Sequence, residues 1–291
     1  MRIKGVDKLR AKLPTYVGWR WVGLGVLIAV GTITGLTFML LVDSVARLCS
    51  HISFFVLIEP LLPVLGALTC ELVAFRLIWS VWHNRNQYLA EFGDLAYQKV
   101  IPRGFVGVAW IFALCMHIYV PLDVFPIGPP VNSVTTLLAG SLLAVLGVPA
   151  VCGFMVRVVG SISLLVLGVL TIRSALLTFG VDYLAMVYLY YPTESEVQQH
   201  EIYSVLRHPT YFGVLAIAAG GMALRCSLYS LVFFVVFLLG LLVHIFCVEE
   251  KELRERFGTV FIEYQKRVPA LYVRARDIRV FLRFLAKRGT A

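Results

Sequence analysis

Two short polar motifs stand on either side of an apolar stretch in the last third of the chain. Residues 207–213 read R-H-P-T-Y-F-G, and residues 249–258 read E-E-K-E-L-R-E-R-F-G. The apolar residues between them suit a helical hairpin, which would bring both motifs to one membrane face. Arginine and histidine donate hydrogen bonds to a carboxylate, and glutamates accept them from ammonium or hydroxyl groups. The motifs therefore predict a site for a ligand that carries both kinds of group.

Each motif alone has a simpler structural explanation. An arginine before His208 and Pro209 fits a basic residue at a membrane interface followed by a proline at a helix start. The second motif fits the charged face of a solvated helix, because Glu252 and Arg256 form one of several i,i+4 pairs. The presence of both motifs at the spacing of one hairpin favours a functional site over two unrelated surfaces.

The conjunction resembles the superfamily of isoprenylcysteine carboxyl methyltransferases and phospholipid methyltransferases. Its members carry Y-x-x-x-R-H-P-x-Y-x-G, two apolar segments, and then E-E-x-x-L-x-x-x-F-G-x-x-Y-x-x-Y-x-x-x-V-P. In this chain the resemblance runs from Tyr203 to Pro269, less than a quarter of the 291 residues. It implies an all-α polytopic bundle of membrane helices that binds S-adenosyl-L-methionine at its cytoplasmic face. The implied reaction is methyl transfer to a lipophilic, isoprenylcysteine carboxylate-like acceptor or another small molecule of the membrane.

The resemblance also implies which side chains contact the cofactor. They are Tyr203, Arg207, His208, Pro209, Tyr211, Gly213, Glu249 and Glu250. His208 and Glu249 are the predicted catalytic residues of the motifs, and Arg173 joins them because a charge in an apolar run defaults to a functional or paired role. A snorkelling arginine at a helix end is the competing interpretation of Arg173. Tyr211 lies one helical turn beyond His208 and can stack on the adenosine.

Several positions depart from the family pattern. Family members commonly have Gly-Pro before the first tyrosine, where this chain has Glu201-Ile202, so the turn into the motif should differ. Phe261 replaces the first tyrosine after Phe-Gly. The prenylcysteine enzymes carry an arginine about one turn before the glutamates, whereas this chain has His244 and Ile245 there. His244 can take over the contact to an acceptor carboxylate, or it can simply bond to a neighbouring helix.

Two other functions fit parts of the same pattern. Sterol reductases that use NADPH resemble the superfamily in the Y-x-x-Y-x-x-x-V-P region. Basic residues that could bind the 2'-phosphate of NADPH are Arg254, Arg256, Lys266 and Arg267. A nurim-like membrane protein without catalysis is the second alternative, and the linker sequence 180–183 resembles that branch. The R-H-P-x-Y-x-G and E-E pair favours the methyltransferase over both.

Composition classifies the chain as an integral membrane protein. Apolar residues make up 59% and charged residues 15%, with a mean hydropathy of +0.85. Apolar runs long enough to span occur at about 22–42, 52–75, 104–122, 131–156, 158–180 and 226–248. If the N-terminus and the linker 181–206 lie on one side, the crossings between them must be even in number, yet the runs give five. We attribute the mismatch to residues 43–80, which gives about seven or eight spans.

The sequence also divides into a scaffold, 1–130, and a methyltransferase core, 131–291, at Pro126, Pro129 and Pro130. Within the core, residues 209–224 and 226–248 form the hairpin. Residues 1–20 carry six Lys/Arg against one Asp, and residues 251–291 carry eleven against four acids. Such basic ends indicate the cytoplasmic side and favour membrane lipids over nucleic acid as partners.

The cysteines form no C-x-x-C pair, and we infer neither a metal site nor disulfides. With no N-x-S/T site either, a prokaryotic inner membrane is favoured over the endoplasmic reticulum. The motifs leave open whether the acceptor is a prenylated peptide, a phospholipid amine, a thiol or an isoprenoid acid. A carboxylate or thiolate acceptor needs no base, whereas an amine or thiol needs one, from His208, His244 or a glutamate. Oligomeric state is not determined by these patterns.

Overall fold

The computed structural model describes residues 4–122 and 128–287, most of which are helical. No strand occurs in these two ranges, and the predicted all-α class is confirmed. In chain order the helices are α1 (Val6–Ala11), α2 (Trp19–Leu48), α3 (Ser53–Ile58), α4 (Leu62–His83), α5 (Arg85–Phe92), α6 (Ala96–His117), α7 (Ser133–Ala139), α8 (Leu142–Val145), α9 (Ala150–Thr178), α10 (Val181–Leu184), α11 (Val187–Tyr190), α12 (Pro209–Arg225), α13 (Leu228–Val243), α14 (Glu250–Phe257), α15 (Thr259–Arg267) and α16 (Ile278–Ala286).

Within the described residues, five helical segments are long and apolar enough to cross a membrane. They are α2, α3 with α4, α5 with α6, α9, and α13 with α14. The 17 residues of α12 form the other arm of the predicted hairpin, which turns at Cys226 and Ser227. With that arm, the described residues provide six segments that could cross the membrane, fewer than the expected seven or eight.

The apolar sequence between residues 131 and 180 explains the lower number. We predicted two spans there, but the structure has two short helices, α7 and α8, followed by the single 29-residue helix α9. Gly140 and Ser141 adopt extended backbone between the short helices, and Pro149 precedes α9. A run of apolar residues does not reveal a break that the backbone makes without polar side chains.

Residues 43–80, which we expected to contain the miscounted element, hold only one crossing. α2 continues past Asp43 to its end at Leu48, and α4 begins at Leu62. Asp43 is buried, and its Oδ2 lies 2.7 Å from Nε2 of His117 in α6. The charge that interrupts the apolar run therefore pairs inside the bundle and does not end the helix.

The N-terminal segment and the linker before the motifs lie on the same face of the bundle. The backbone N–H of Val181 donates to the carbonyl of Lys4 at 3.0 Å, and Lys12 pairs with Glu194. Four crossings, α2, α4, α6 and α9, separate these two parts of the chain. A chain that returns to its starting face must cross an even number of times, so the conflict in the sequence count is removed.

One packed core joins the two halves of the chain. Met39 of α2 belongs to the same buried cluster as Phe233 of α13. The division into scaffold and core near residue 130 stays a prediction. Buried side chains from both sides of residue 130 pack in the same cluster. Pro126, which helps to mark the division, lies outside the described residues.

α9 and α12 pack backbone against backbone because two glycines face each other. A Cβ at Gly168 would lie 2.5 Å from the carbonyl oxygen of Gly213, and a Cβ at Gly213 would lie 2.8 Å from the carbonyl oxygen of Gly168. Only glycine allows helices to approach this closely. The G-x-x-x-G of α2 serves the same purpose within the chain, since Gly31 and Gly35 pack against α6.

We predict that Gly168→Ala destabilises the bundle by about 1–3 kcal/mol, because the added methyl group overlaps the backbone of α12. Gly160→Ala is the matched control, since a Cβ at this position of α9 meets Ala223 at 3.9 Å, an ordinary contact. Thermal unfolding in detergent measures both variants. If Gly168→Ala and Gly160→Ala had equal melting temperatures, α9 and α12 could move apart without loss of stability, and the prediction would be wrong.

Candidate functional site

A cavity of about 210 Å³ opens at the face of the bundle where the linker and both motifs meet. Its walls come from the end of α9 and the linker (residues 175–198), the first motif (203–211) and the second motif (249–264). Trp82, at the end of α4, completes the lining. The hairpin thus brings both motifs to one cavity, as its sequence led us to expect.

Arg207 of the first motif and Glu250 of the second form a buried ion pair beside this cavity. Nε and Nη2 of Arg207 both lie 2.8 Å from Oε1 of Glu250. Nη1 of Arg207 donates to the backbone carbonyls of Gln265 and Val268, at 3.0 and 2.5 Å. The side chain of Gln265 donates to Oε2 of Glu250 at 2.8 Å. Arg207 and Glu250 therefore make their hydrogen bonds within the chain and hold the two motifs together.

The chain reverses at Gly258, and this reversal brings α15 back to the first motif. Gly258 has a φ of 55° and a ψ of −131°, a conformation that residues with a Cβ rarely adopt. After the reversal, the carbonyl of Pro269 accepts from the backbone N–H of Arg207 at 2.9 Å. The hydroxyl of Tyr264 donates to the carbonyl of Tyr203 at 2.7 Å. The F-G and V-P parts of the pattern thus position the first motif.

The helix that carries the glutamates widens into a π-helical turn, His244–Glu249, directly before α14. Such turns are rare and occur mainly at functional sites, because the extra residue changes the register of the side chains that follow. Neighbouring residues on a regular α-helix point about 100° apart. Here the side chains of Glu249 and Glu250 both contact the first motif. The π-helical turn ends at Glu249 and changes the direction in which these neighbouring side chains point.

His208 lies between the two glutamates. Its Nε2 is 3.0 Å from Oε1 of Glu250, and its Nδ1 is 3.6 Å from Oε1 of Glu249. Burial by itself lowers the pKa of His208, but the hydrogen bonds and charges of the two carboxylates outweigh burial, so the pKa is raised. The hydroxyl of Tyr211 donates to Oε2 of Glu249 at 2.5 Å. The two acids thus favour the protonated form of the buried His208.

A row of aromatic rings runs from His208 to α4. Ring centroids are 5.7 Å apart for His208 and Tyr211, 5.9 Å for Tyr211 and His244, and 5.2 Å for His244 and Trp82. Nε2 of His244 lies 3.9 Å from Oε2 of Glu249, which is beyond hydrogen-bond distance. His244 is therefore held less tightly than His208, although both histidines lie close to Glu249.

The remaining predicted residues fall into two groups. Tyr203 and Pro209 line the cavity, and Pro209 is the first residue of α12. Gly213 packs against α9, and Nη1 of Arg173 donates to the carbonyl of Lys287 at 3.2 Å, just after α16. Neither Gly213 nor Arg173 lines the cavity in the part of the chain described here. Their placement favours packing roles over contact with a ligand.

Sequence reasoning missed that Phe179 and Tyr183 form an aromatic wall of the cavity together with the predicted Tyr203. Phe179 lies against Tyr183 and Tyr203, with ring centroids 3.8 and 4.6 Å apart. All three residues line the cavity and offer aromatic faces and edges against which a ring-shaped ligand can pack. The signal that could have indicated this wall is the density of tyrosines in the linker. Among the described residues, no cluster of His, Cys, Asp and Glu could hold a metal ion.

The turn into the first motif contains a residue in the left-handed region. Glu201 has a φ of 52°, which costs free energy for any residue with a Cβ. Its carboxylate lies 2.7 Å from Nζ of Lys287, so the side chain also ties the turn to the C-terminal helix. The expected departure from the family at this position stays a prediction. The structure adds that Glu201 adopts the backbone conformation that glycine tolerates best.

Comparison with known proteins identifies the same part of the chain. Residues 156–260 match the phospholipid methyltransferase family. This range begins in α9 and ends in α15, so it contains the hairpin and both motifs. It covers a little over a third of the chain. No solved structure matches the chain.

Three plant relatives are similar over a comparable length. Protein-S-isoprenylcysteine O-methyltransferase B of Arabidopsis thaliana is 25% identical over 109 residues, which are 38% of this chain and 55% of the relative. Protein-S-isoprenylcysteine O-methyltransferase A of the same plant is 26% identical over 105 residues, 36% of this chain and 53% of the relative. A probable protein-S-isoprenylcysteine O-methyltransferase of Oryza sativa subsp. indica is 28% identical, over 36% of this chain and 55% of the relative. The chain spans about half the length of these relatives.

We predict that the stability lost in His208→Gln depends on pH. Because the folded-state pKa of His208 is raised, its contribution is fully present below the pKa of an unfolded histidine, about 6.5. It is lost as the pH rises through the folded-state pKa. Melting temperatures of wild type and variant should differ most near about pH 6 and converge toward alkaline pH. His200→Gln, at an exposed position, is the control; a pH-independent difference for His208→Gln would mean that His208 is neutral.

A second prediction concerns the left-handed turn. Glu201→Gly and Glu201→Ala both remove the pair with Lys287, but only glycine relieves the backbone strain. Glu201→Gly should therefore be more stable than Glu201→Ala by about 1 kcal/mol. Thermal unfolding of the two variants under identical conditions measures the difference. A more stable alanine variant would contradict the strain argument.

Proposed function

We propose that this chain, which matches the phospholipid methyltransferase family over residues 156–260 and is similar to plant isoprenylcysteine methyltransferases, transfers the methyl group of S-adenosyl-L-methionine to a lipophilic acceptor. The observation that carries the proposal is the convergence of both polar motifs on one cavity at the end of a membrane hairpin. The cofactor would enter from water and the acceptor from the bilayer, which explains why the site is built on so apolar a bundle.

The residues around the cavity fit this cofactor. Adenine requires an aromatic or apolar surface to pack against, and Phe179, Tyr183 and Tyr203 offer aromatic rings at the cavity wall. The ribose hydroxyls and the ammonium group require hydrogen-bond acceptors, and Glu249 lines the cavity with a carboxylate fixed by His208 and Tyr211. When bound, S-adenosyl-L-methionine supplies a methyl group made electrophilic by its sulfonium sulfur.

The chain's own residues would act mainly by positioning. The ion pair of Arg207 and Glu250 holds the two motifs in register. His208 and Tyr211 hold the carboxylate of Glu249 at the cavity. A displacement at a sulfonium methyl group gains most from orientation and from the exclusion of water, which a half-buried cavity between membrane helices provides.

We propose an acceptor of the isoprenylcysteine carboxylate type, because the plant relatives carry that substrate in their names. A carboxylate is already a nucleophile and needs no base. If the acceptor carries a proton on its nucleophile, His244 is the histidine with fewer competing bonds, whereas His208 is the one that lines the cavity. His208 is engaged by two carboxylates, whereas the ring of His244 lies 3.9 Å from Glu249.

We further propose that the cavity faces the cytoplasm. The basic N-terminal segment contacts the linker on this face, and the basic residues after the second motif lie next to it. Lys and Arg next to membrane spans concentrate on the cytoplasmic side and interact with anionic lipid headgroups. A prokaryotic inner membrane remains the favoured location.

Calorimetric binding to the detergent-purified protein tests the cofactor assignment. S-adenosyl-L-methionine should bind to the wild type, and Glu249→Ala and His208→Ala should each weaken binding by about tenfold or more, because a buried charge-assisted contact is lost. Glu263→Ala, which removes an exposed carboxylate of α15, should leave the affinity unchanged. Circular dichroism confirms that the helices survive.

NADPH is titrated in the same experiment because a reductase was the alternative enzyme. Binding of NADPH without S-adenosyl-L-methionine would contradict the proposal, and so would the absence of binding by either in detergent and in lipid discs. Transfer of labelled methyl groups to N-acetyl-S-farnesylcysteine then tests the acceptor class separately from the cofactor.

A further inference from the structure

Two arginines share one glutamate at the wall of the cavity. Oε1 of Glu252 lies 3.2 Å from Nη1 of Arg85 and 2.8 Å from Nε of Arg256. Nη1 of Arg256 also donates to the hydroxyl of Ser195 at 3.2 Å. Glu252 and Arg256 line the cavity, and their side chains are 13% and 12% exposed. Arg85 and Arg256 together carry two positive charges, and Glu252 carries one negative charge. The three side chains therefore have a net charge of +1.

The other charges of the motifs do not neutralise that charge. Arg207 is paired with Glu250, and His208 lies between Glu250 and Glu249. Glu196 also lines the cavity next to Ser195 and accepts a hydrogen bond from Gln198 at 2.8 Å, but among the described residues Arg256 forms its ion pair with Glu252 and not with Glu196. An excess cation in a partly buried wall is costly unless an anion reaches it. A negatively charged ligand group that binds next to Arg256 would compensate this charge.

Arg207 is not available for such a group, although its sequence position pointed to a ligand carboxylate. Its guanidinium donates to Glu250 and to two backbone carbonyls, and only 8% of the side chain is exposed. His208 is held by two carboxylates. Among the described residues that line the cavity, Arg256 is the cation whose carboxylate partner, Glu252, is shared with a second arginine, Arg85.

We propose that Arg256, supported by Arg85, binds the carboxylate of a ligand in this cavity, with Glu252 occupying that position in the ligand-free protein. The inference rests on the proposed function, and it names the residue that recognises a carboxylate there. Arg85 belongs to α5, outside the matched range 156–260, so the N-terminal half of the chain would complete the subsite. The carboxylate belongs either to the methionyl part of the cofactor or to the acceptor.

Four probes distinguish these two sources. S-adenosyl-L-methionine is compared with its decarboxylated form, and N-acetyl-S-farnesylcysteine is compared with N-acetyl-S-farnesylcysteamine, which lacks the carboxylate. Each is titrated calorimetrically into the wild type, Arg256→Gln, Arg85→Gln and Glu252→Gln. Arg254→Gln is the matched control, because Arg254 lies on the same helix, is exposed and does not line the cavity.

Arg256→Gln should weaken binding of one carboxylate-bearing probe by about tenfold or more, because a charge-assisted contact is lost. Binding of the matched probe without the carboxylate should change less than about twofold. The affected pair identifies the source. Arg85→Gln should act in the same direction with a smaller effect. Glu252→Gln should tighten binding of the same probe by roughly threefold, because a competing carboxylate charge is removed.

The gain expected for Glu252→Gln separates this proposal from a purely structural ion network. If the three residues only stabilise the fold, every substitution lowers the melting temperature and weakens both members of each probe pair alike. That result would overturn the proposal, as would unchanged affinity for all four probes in Arg256→Gln. If the wild type binds no probe, the proposed function fails with it. If the wild type binds S-adenosyl-L-methionine while Arg256→Gln changes the affinity of neither the cofactor nor the acceptor probe, that result would overturn the carboxylate subsite and leave the proposed function standing.

Discussion

The buried pair of Arg207 and Glu250 is the interaction on which the rest of the site depends. Two charges leave water at the edge of a membrane bundle, which is unfavourable unless their hydrogen bonds are made inside the protein. Here the guanidinium reaches Glu250 and two backbone carbonyls, and the second carboxylate oxygen accepts from Gln265. The pair thus joins the start of α12, the start of α14 and the end of α15. Removal of either charge would leave the other buried and unpaired, at a cost of about 3–5 kcal/mol.

The bundle supplies the constraint that lets this pair form. α12 is too short to be placed by burial in lipid alone, and its close packing on α9 through facing glycines fixes where its first residues emerge. The N-terminal half packs into the same core and returns to the same face, where Trp82 borders the cavity and Arg85 reaches α14. The matched family range therefore contains the motifs, while the whole chain builds their surroundings.

Electrostatics divides the cations of the site into two kinds. Arg207 and His208 are surrounded by acceptors from the chain itself, so their charges stabilise the arrangement of the motifs. Arg256 shares a single carboxylate with Arg85, so its charge is only partly compensated. This difference is our reason for assigning ligand recognition to Arg256, because the charge-assisted bonds that Arg207 and His208 already make inside the chain are costly to exchange.

The sequence by itself determined the membrane class, the hairpin and the pair of motifs, because apolar run length and residue spacing along a helix are local properties. It also led to Tyr203, His208 and Glu249, which line the cavity. It did not determine that α9 is one long helix, that Gly213 and Arg173 pack away from the cavity, or that Arg207 is fully engaged. Those outcomes depend on which groups meet after the chain folds, since a side chain's remaining hydrogen-bond capacity and charge are set by neighbours far away in sequence.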